Sequence, residues 1–158
     1  YGRLNIMFPM ITQLEQVRQI KQMIAQLQRE LTAEKVPFRS DIQYGIMVET
    51  PAAAVMSDVL AEEVDFFSIG TNDLTQYTMA ADRMNAQVSD LFDPADPAVL
   101  RLIELTAKNA HAAGIWVGIC GESAANTALT DFYMSVGIDE LSVSPASVPA
   151  VKRAIIKC

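Results

Sequence analysis

Three side chains able to do chemistry stand at equivalent places in this chain. Glu49 follows the apolar run Tyr44–Val48, Asp73 follows Val64–Gly70 by way of Thr71 and Asn72, and Cys120 follows Trp116–Ile119. Each run reads as a buried strand, and parallel α/β sheets gather their functional groups at the carboxyl ends of their strands. Glu49 and Asp73 are 24 residues apart, the length of one strand-plus-helix unit. Adjacent parallel strands lie about 4.8 Å apart, so carboxylates at neighbouring strand tops can converge on one cation. A few hard oxygen donors suit Mg²⁺, which keeps waters and substrate oxygens in its shell. Taken alone, a Glu after a strand is more commonly a helix cap or an exposed charge. Glycines flank Cys120 in Gly118-Ile119-Cys120-Gly121-Glu122 and leave its thiol accessible. A thiol there can serve as an acid or as a nucleophile, whereas most buried cysteines are structural.

The surroundings of the second acid add to this. Gly70 permits a sharp turn and close approach of a ligand, and Asn72 can donate to a phosphate or carboxylate oxygen. Arg83, in the polar stretch beyond, carries a guanidinium fork that can grip a phosphoryl or carboxylate group. By itself a surface Arg is usually only a solvated charge. His111, the sole histidine, sits one turn before Gly114 near a helix C-terminus, where its simplest role is a favourable dipole contact.

The elements that must position these residues alternate. A first strand spans Arg3–Met10, and Thr12-Gln13-Leu14-Glu15 reads as a capping box opening a helix. That helix carries an apolar stripe of Leu14, Val17, Ile20, Ile24, Leu27 and Leu31. A second strand, Ile42–Val48, leads to Thr50-Pro51, an N-cap with Pro in the first turn. The third strand, Val64–Ile69, precedes a polar segment over 71–96 with a short helix at Leu74–Ala81. Asp96-Pro97 opens a helix with Leu100, Ile103, Thr106, Ala107 and Ala110 facing inward, closed by Gly114. Trp116–Ile119 is a fourth strand, followed by a short helix over Thr127–Val136, and Glu140–Val143 a fifth. Ser147 caps a last helix to Lys157. Strands alternating with helices predict right-handed βαβ units and a parallel sheet. Five units do not close a (β/α)8 barrel, so the chain is either an open doubly wound domain or most of a barrel.

Composition bounds the function classes. The chain has 158 residues, half of them hydrophobic, with a net charge of −7. That charge leaves no excess of Lys and Arg for phosphates, against nucleic-acid binding. No apolar run approaches the roughly 18 residues needed to span a bilayer. Two cysteines without CxxC spacing fit a reducing cytoplasm. The first residue is Tyr1, which suits a processed chain or an excised piece.

Several segments together resemble enzyme I of the bacterial sugar phosphotransferase system. They are Ile6–Ile11, Ile46-Met47-Val48-Glu49-Thr50-Pro51-Ala52-Ala53-Ala54, the run from Phe66 through Gly70-Thr71-Asn72-Asp73 to Thr78, Ala81-Asp82-Arg83-Met84-Asn85, and Cys120-Gly121-Glu122. Pyruvate phosphate dikinase and phosphoenolpyruvate synthase share the Gly-Thr-Asn-Asp core, but Tyr77 and Asp82–Asn85 look more like enzyme I. One departure lies after Glu122. The family commonly continues with a hydrophobic residue, Ala, Gly and Asp, and here Ser123-Ala124-Ala125-Asn126 stand instead. Losing that Gly is expected to restrict the loop beside Cys120.

The resemblance implies an α/β fold, the C-terminal five βα units of a (β/α)8 TIM barrel of the phosphoenolpyruvate-utilising type, over residues 1–158. It implies Glu49 and Asp73 as Mg²⁺ ligands, Asn72, Asp73 and Arg83 as phosphoenolpyruvate-binding residues, and Cys120 as the catalytic proton donor to the enolate carbon. The implied activity is phosphoryl transfer to a protein histidine, with the histidine-containing phosphocarrier protein as the next acceptor. A homodimer in the full-length protein and a cytoplasmic location follow from the same likeness. The phosphoacceptor histidine and the early barrel strands are expected elsewhere in a parent chain, so this piece is expected to be silent alone. The alternatives are a dikinase or synthase barrel, which couples to a nucleotide, and a binding or dimerisation module without turnover.

Overall fold

The computed structural model describes residues 4–158, so Arg3 of the expected first strand lies outside the described residues. Five strands, β1 (Asn5–Phe8), β2 (Gln43–Val48), β3 (Phe66–Gly70), β4 (Trp116–Cys120) and β5 (Glu140–Leu141), form one sheet in the order β1-β2-β3-β4-β5. Every neighbouring pair is parallel. Sequential order without a reversal is how a barrel winds, whereas a doubly wound sheet reverses at a switch point. The chain is therefore a run of five βα units of a TIM-type barrel.

Strand alternation divides the sheet into two faces. Ile46, Val48, Phe67, Ile69, Val117 and Ile119 point outward into the main core beneath the helices. The opposite face is built in layers set by the register. Met7, Gly45, Phe66 and Trp116 lie in one row, and Met47, Ser68, Gly118 and Glu140 in the next. Gly70 and Cys120 pair in the last row, beside Glu49 one residue beyond β2.

Among the described residues there are seven α-helices. They are α1 (Leu14–Ala33), α2 (Pro51–Val55), α3 (Ser57–Ala61), α4 (Thr71–Met79), α5 (Pro97–Ala112), α6 (Thr130–Ser135) and α7 (Val148–Ile155). Thr50 accepts from the Ala53 amide at 3.2 Å and Asp96 from Ala98 at 2.8 Å, so both expected N-caps form. The first cap differs from expectation. Gln13, not Thr12, is the N-cap of α1, and the Oε1 of Gln16 rather than Glu15 accepts from the Thr12 and Gln13 amides. An amide side chain one residue further along reaches both donors, and the helix start moves with it. Ser147 precedes α7 without capping it, its hydroxyl meeting that of Ser144 at 3.1 Å. The helix expected after Thr50 is broken at Met56 into α2 and α3. The one expected at Leu74–Ala81 starts three residues earlier, directly at the end of β3, and stops at Met79.

The apolar stripe of α1 is only half covered. Val17 is buried, but Met23 and Leu27 are exposed beside the edge strand β1. They line an apolar groove of about 350 Å³ with Ile6, Phe8 and Phe38.

The lower rim of the sheet carries a device used twice. Asp65, just before β3, accepts from the Tyr44 amide of β2 at 2.8 Å and returns its own amide to the Tyr44 carbonyl at 2.9 Å. Asp139, just before β5, treats Val117 of β4 identically, at 2.9 Å in both directions. The segments Val64-Asp65-Phe66-Phe67-Ser68-Ile69 and Ile138-Asp139-Glu140-Leu141-Ser142-Val143 echo one another in sequence.

In the innermost row, the ring of Phe66 stacks on Trp116 with centroids 4.4 Å apart and lies over Gly45. A Cβ at Gly45 would meet the Phe66 ring at 2.5 Å. With the ring held by Trp116, Gly45→Ala is expected to destabilise the domain by about 1–3 kcal/mol. Denaturant unfolding checks this, as a lower midpoint at unchanged m-value.

Candidate active site

The uppermost layer gathers the acids. Glu49 is buried, with 3% of its surface exposed. Its Oε1 accepts from the Met10 amide at 2.6 Å, across the β1–α1 turn. Met10 holds φ at +55°, the left-handed region that a side chain occupies at a cost. Space for Glu49 comes from Gly70, where a Cβ would meet Glu49 Oε2 at 2.8 Å. The value of Gly70 is thus close approach; its backbone stays at negative φ.

Asp73 stands in the first turn of α4, where the helix dipole favours an anion. Its carboxylate is near enough to repel Glu49 and to hydrogen-bond its protonated form. Burial pushes the Glu49 carboxyl up, the Met10 amide opposes this, and the Asp73 charge raises it further. Arg83 reaches Asp73 Oδ1 with Nη1 at 3.5 Å, both side chains being partly exposed. Such a pair contributes little net stability and leaves the guanidinium able to turn to a ligand. Asn72 Oδ1 accepts from the Glu122 amide at 3.2 Å, so its NH₂ is the group left for an incoming anion.

Cys120 ends β4, partly buried. Burial pushes its thiol up, a hydrogen bond from Ser68 lowers it, and the charges of Glu49, Asp73 and Glu140 raise it. The net direction is up, so the sulfur keeps its proton at neutral pH. A thiol raised in this way is less often a thiolate, and in its protonated form it can carry a proton. The next residue, Gly121, has φ at +98°, and a Cβ there would meet Thr71 Oγ1 at 2.6 Å. The tightening expected from the missing glycine further along does not arise. Ala124 and Ala125 lie in a short 3-10 turn, Glu122–Ala125, at negative φ.

The structure therefore brings Glu49, Asp73, Asn72, Arg83 and Cys120 to one end of the sheet, and it keeps His111 away. His111 lies on α5 at the other end, 3.3 Å from Asp139. Sequence reasoning missed Met10, which contributes only a backbone amide. It also missed Ser68, which sits one layer below Cys120. The period-two spacing Ser68–Gly70 was a readable signal for the latter. Among the described residues no three acidic, histidine or cysteine side chains form a closed cation cage. Two neighbouring carboxylates, Glu49 buried and Asp73 partly exposed, are nonetheless of the kind and number that Mg²⁺ takes from a protein.

Acids, an amide, a guanidinium and a thiol thus stand at the carboxyl ends of sequential parallel strands, where barrel enzymes carry their chemistry. The whole chain, residues 1–158, matches the family model described as PEP-utilising enzyme, PEP-binding domain. The chain belongs to this family of phosphoenolpyruvate-utilising enzymes. It is 50% identical over 155 residues to the phosphoenolpyruvate-protein phosphotransferase of Haemophilus influenzae, covering 98% of this chain and 27% of that protein. It is 52% identical over 148 residues to the one from Streptococcus equinus, covering 94% and 26%. The chain thus spans about a quarter of the length of these curated relatives. Among solved structures, a citrate lyase from Burkholderia xenovorans LB400 superposes with a TM-score of 0.65 at 20% identity, covering 96% of this chain and 48% of that one. At that identity the likeness concerns the fold.

The Glu49 geometry has a measurable consequence. A carboxyl whose folded pKa is raised destabilises the fold at pH values above its unfolded pKa. Glu49→Gln keeps the acceptor for Met10 and removes the charge. Without added cation it is expected to raise the thermal midpoint at pH 7 by about 2–4 °C, equivalent to about 1 kcal/mol at this size. The difference should shrink as the pH falls from 7 toward the ordinary carboxyl value of 4.5 and be gone below it, where Glu49 is neutral folded and unfolded alike. Calorimetry at pH 7 and pH 4 measures both.

Proposed function

We propose that this domain binds phosphoenolpyruvate and, with the rest of its parent chain, transfers the phosphoryl group to a protein histidine. In this reading residues 1–158 form part of the substrate-binding barrel of a phosphoenolpyruvate-protein phosphotransferase. The single observation that carries it is the convergence of Glu49, Asp73, Asn72, Arg83 and Cys120 at one end of the sheet. The names of the relatives support the same reading. The histidine-containing phosphocarrier protein would be the next acceptor, in the first step of bacterial sugar uptake. The parent would be a cytoplasmic homodimer.

Each residue has a chemical task. The Asn72 NH₂ and the Arg83 guanidinium bind the phosphoryl oxygens, Arg83 turning from Asp73. Glu49 and Asp73 would hold Mg²⁺, which when bound neutralises phosphate and carboxylate charge. As the bond from phosphorus to the enol oxygen breaks, the histidine nitrogen takes the phosphoryl group and an enolate remains. Cys120 Sγ gives its proton to the terminal enolate carbon, forming the methyl group of pyruvate. The thiolate left behind accepts the Ser68 hydrogen bond until solvent returns a proton. Positioning and fixed charges supply most of the acceleration, as in phosphoryl transfer generally.

Two variants of the full-length parent test this. Cys120→Ala is expected to slow pyruvate formation by about 10²-fold or more while phosphoenolpyruvate still binds. Asp73→Ala should abolish turnover or raise the Mg²⁺ requirement, and Mg²⁺ should raise the thermal midpoint of wild type but not of this variant. Normal turnover in both variants would refute the assignment. Labelling of the phosphocarrier protein from phosphoenolpyruvate with no nucleotide added separates this activity from a dikinase or synthase.

A further inference from the structure

A line of buried hydroxyls runs from α6 to the backbone of Cys120. The Tyr133 hydroxyl donates to Ser123 Oγ at 2.9 Å, and Ser123 Oγ donates to Thr71 Oγ1 at 2.7 Å. Thr71 Oγ1 then donates to the Cys120 carbonyl at 2.9 Å. Tyr133 and Thr71 are fully buried and Ser123 is 3% exposed. Burial pushes the Tyr133 hydroxyl up, so it stays a donor at any ordinary pH. Ser123 and Thr71 each accept once and donate once, and the line has one direction.

Its end point is informative. The β4–β5 ladder stops at Ile119 with Leu141, one residue short of Cys120. The Cys120 carbonyl is therefore tied by a side chain reaching over from the first residue of α4. The next two residues of that helix are Asn72 and Asp73. A second tie, from the Glu122 amide to Asn72 Oδ1 at 3.2 Å, crosses the same gap. Gly121 lies between the two ties, with no room for a Cβ. The anion grip and the thiol are thus clamped together at a set spacing, and Tyr133 and Ser123 brace the clamp from behind.

We propose that Tyr133 and Ser123 are positioning residues that set where the Cys120 thiol stands relative to the phosphoryl grip formed by Asn72 and Arg83. The proposal rests on the reading of Cys120 as proton donor. The relay touches neither substrate nor cation. It acts through Thr71 on the backbone that carries the sulfur.

Tyr133→Phe is the mildest probe. It removes one donor, fills the same space and leaves Ser123 only a spare lone pair, which is cheap to leave unmet. In the full-length enzyme kcat for pyruvate formation is expected to fall about fivefold or more, as small misplacements of a reacting group do. KM for phosphoenolpyruvate should stay within about twofold, because the helical bonds of α4 still hold Asn72. The rate of Cys120 alkylation by iodoacetamide as a function of pH should shift relative to wild type. Ser123→Ala strands the Tyr133 hydroxyl without an acceptor and should lower the thermal midpoint more than Tyr133→Phe does. The double variant, Ser123→Ala with Tyr133→Phe, removes both partners and should recover the midpoint but not kcat.

Recovery of kcat together with the midpoint would reduce the relay to packing and overturn the proposal. So would a wild-type kcat and alkylation profile in Tyr133→Phe while Cys120→Ala is inactive. Normal turnover in Cys120→Ala would instead count against the proton-donor reading. The alkylation profile alone then judges the relay: a shifted profile supports it and an unshifted one overturns it.

Discussion

The buried carboxyl of Glu49 and the partly exposed carboxylate of Asp73 repel one another, and much of the surrounding structure holds them there. The Met10 amide, offered from a strained backbone, gives one Glu49 oxygen a partner. Gly70 surrenders its side chain so that Glu49 fits. Asp73 gains the dipole of α4, and Arg83 leans on it from the loop beyond. A fold seeking only stability would replace one acid with an amide. Keeping both gives up some stability, which in the proposed reading a bound cation would restore.

That arrangement depends on the register of the parallel sheet. Because side chains alternate with a period of two, a slip of one residue between β2 and β3 would turn Gly70 away from Glu49. The layers below keep the phase. The stacked pair Phe66 and Trp116 closes the inner face over Gly45, and Ser68 stands between that apolar layer and the acids. The inner face thus changes character in a few residues, from aromatic packing to hydroxyl to charge. The outer face remains Ile, Val and Phe throughout. One strand serves stability with its even positions and chemistry with its odd or boundary ones.

The parts of this design legible in the chain were those carried by residue type at a strand end. Glu49, Asp73 and Cys120 each follow an apolar run, and alternation of runs with amphipathic stretches was enough to order five units. The barrel order of the strands could not be read from periodicity, since doubly wound sheets share it, and the family likeness supplied that choice. The start of α4 was hidden because Thr71, Asn72 and Asp73 are polar and look like loop. They are first-turn residues of a helix that begins without a connecting loop. Met10 was invisible for another reason: any residue type donates a backbone amide, and its partner is 39 positions away. Ser123 and Tyr133 were overlooked because a hydroxyl in a helix or turn usually faces solvent. Only the packing of α6 behind β4 makes them partners.

The two aspartates at the foot of the sheet have a consequence at its head. Asp65 and Asp139 each grip both backbone groups of one residue on the neighbouring strand, at the end of the sheet away from the acids and the thiol. Asp65 lies level with Tyr44, about 17 Å below Glu49, and Asp139 level with Val117, about 10 Å below Cys120, so neither aspartate reaches the acids or the thiol. Yet each fixes the phase in which β3 or β5 joins its neighbour. In a mutational scan scored by growth, these positions would rank with the active-site residues while lying at the opposite pole of the molecule. Distance from the chemistry is therefore a poor guide to tolerance in this domain, and the alignment of the strands is a better one.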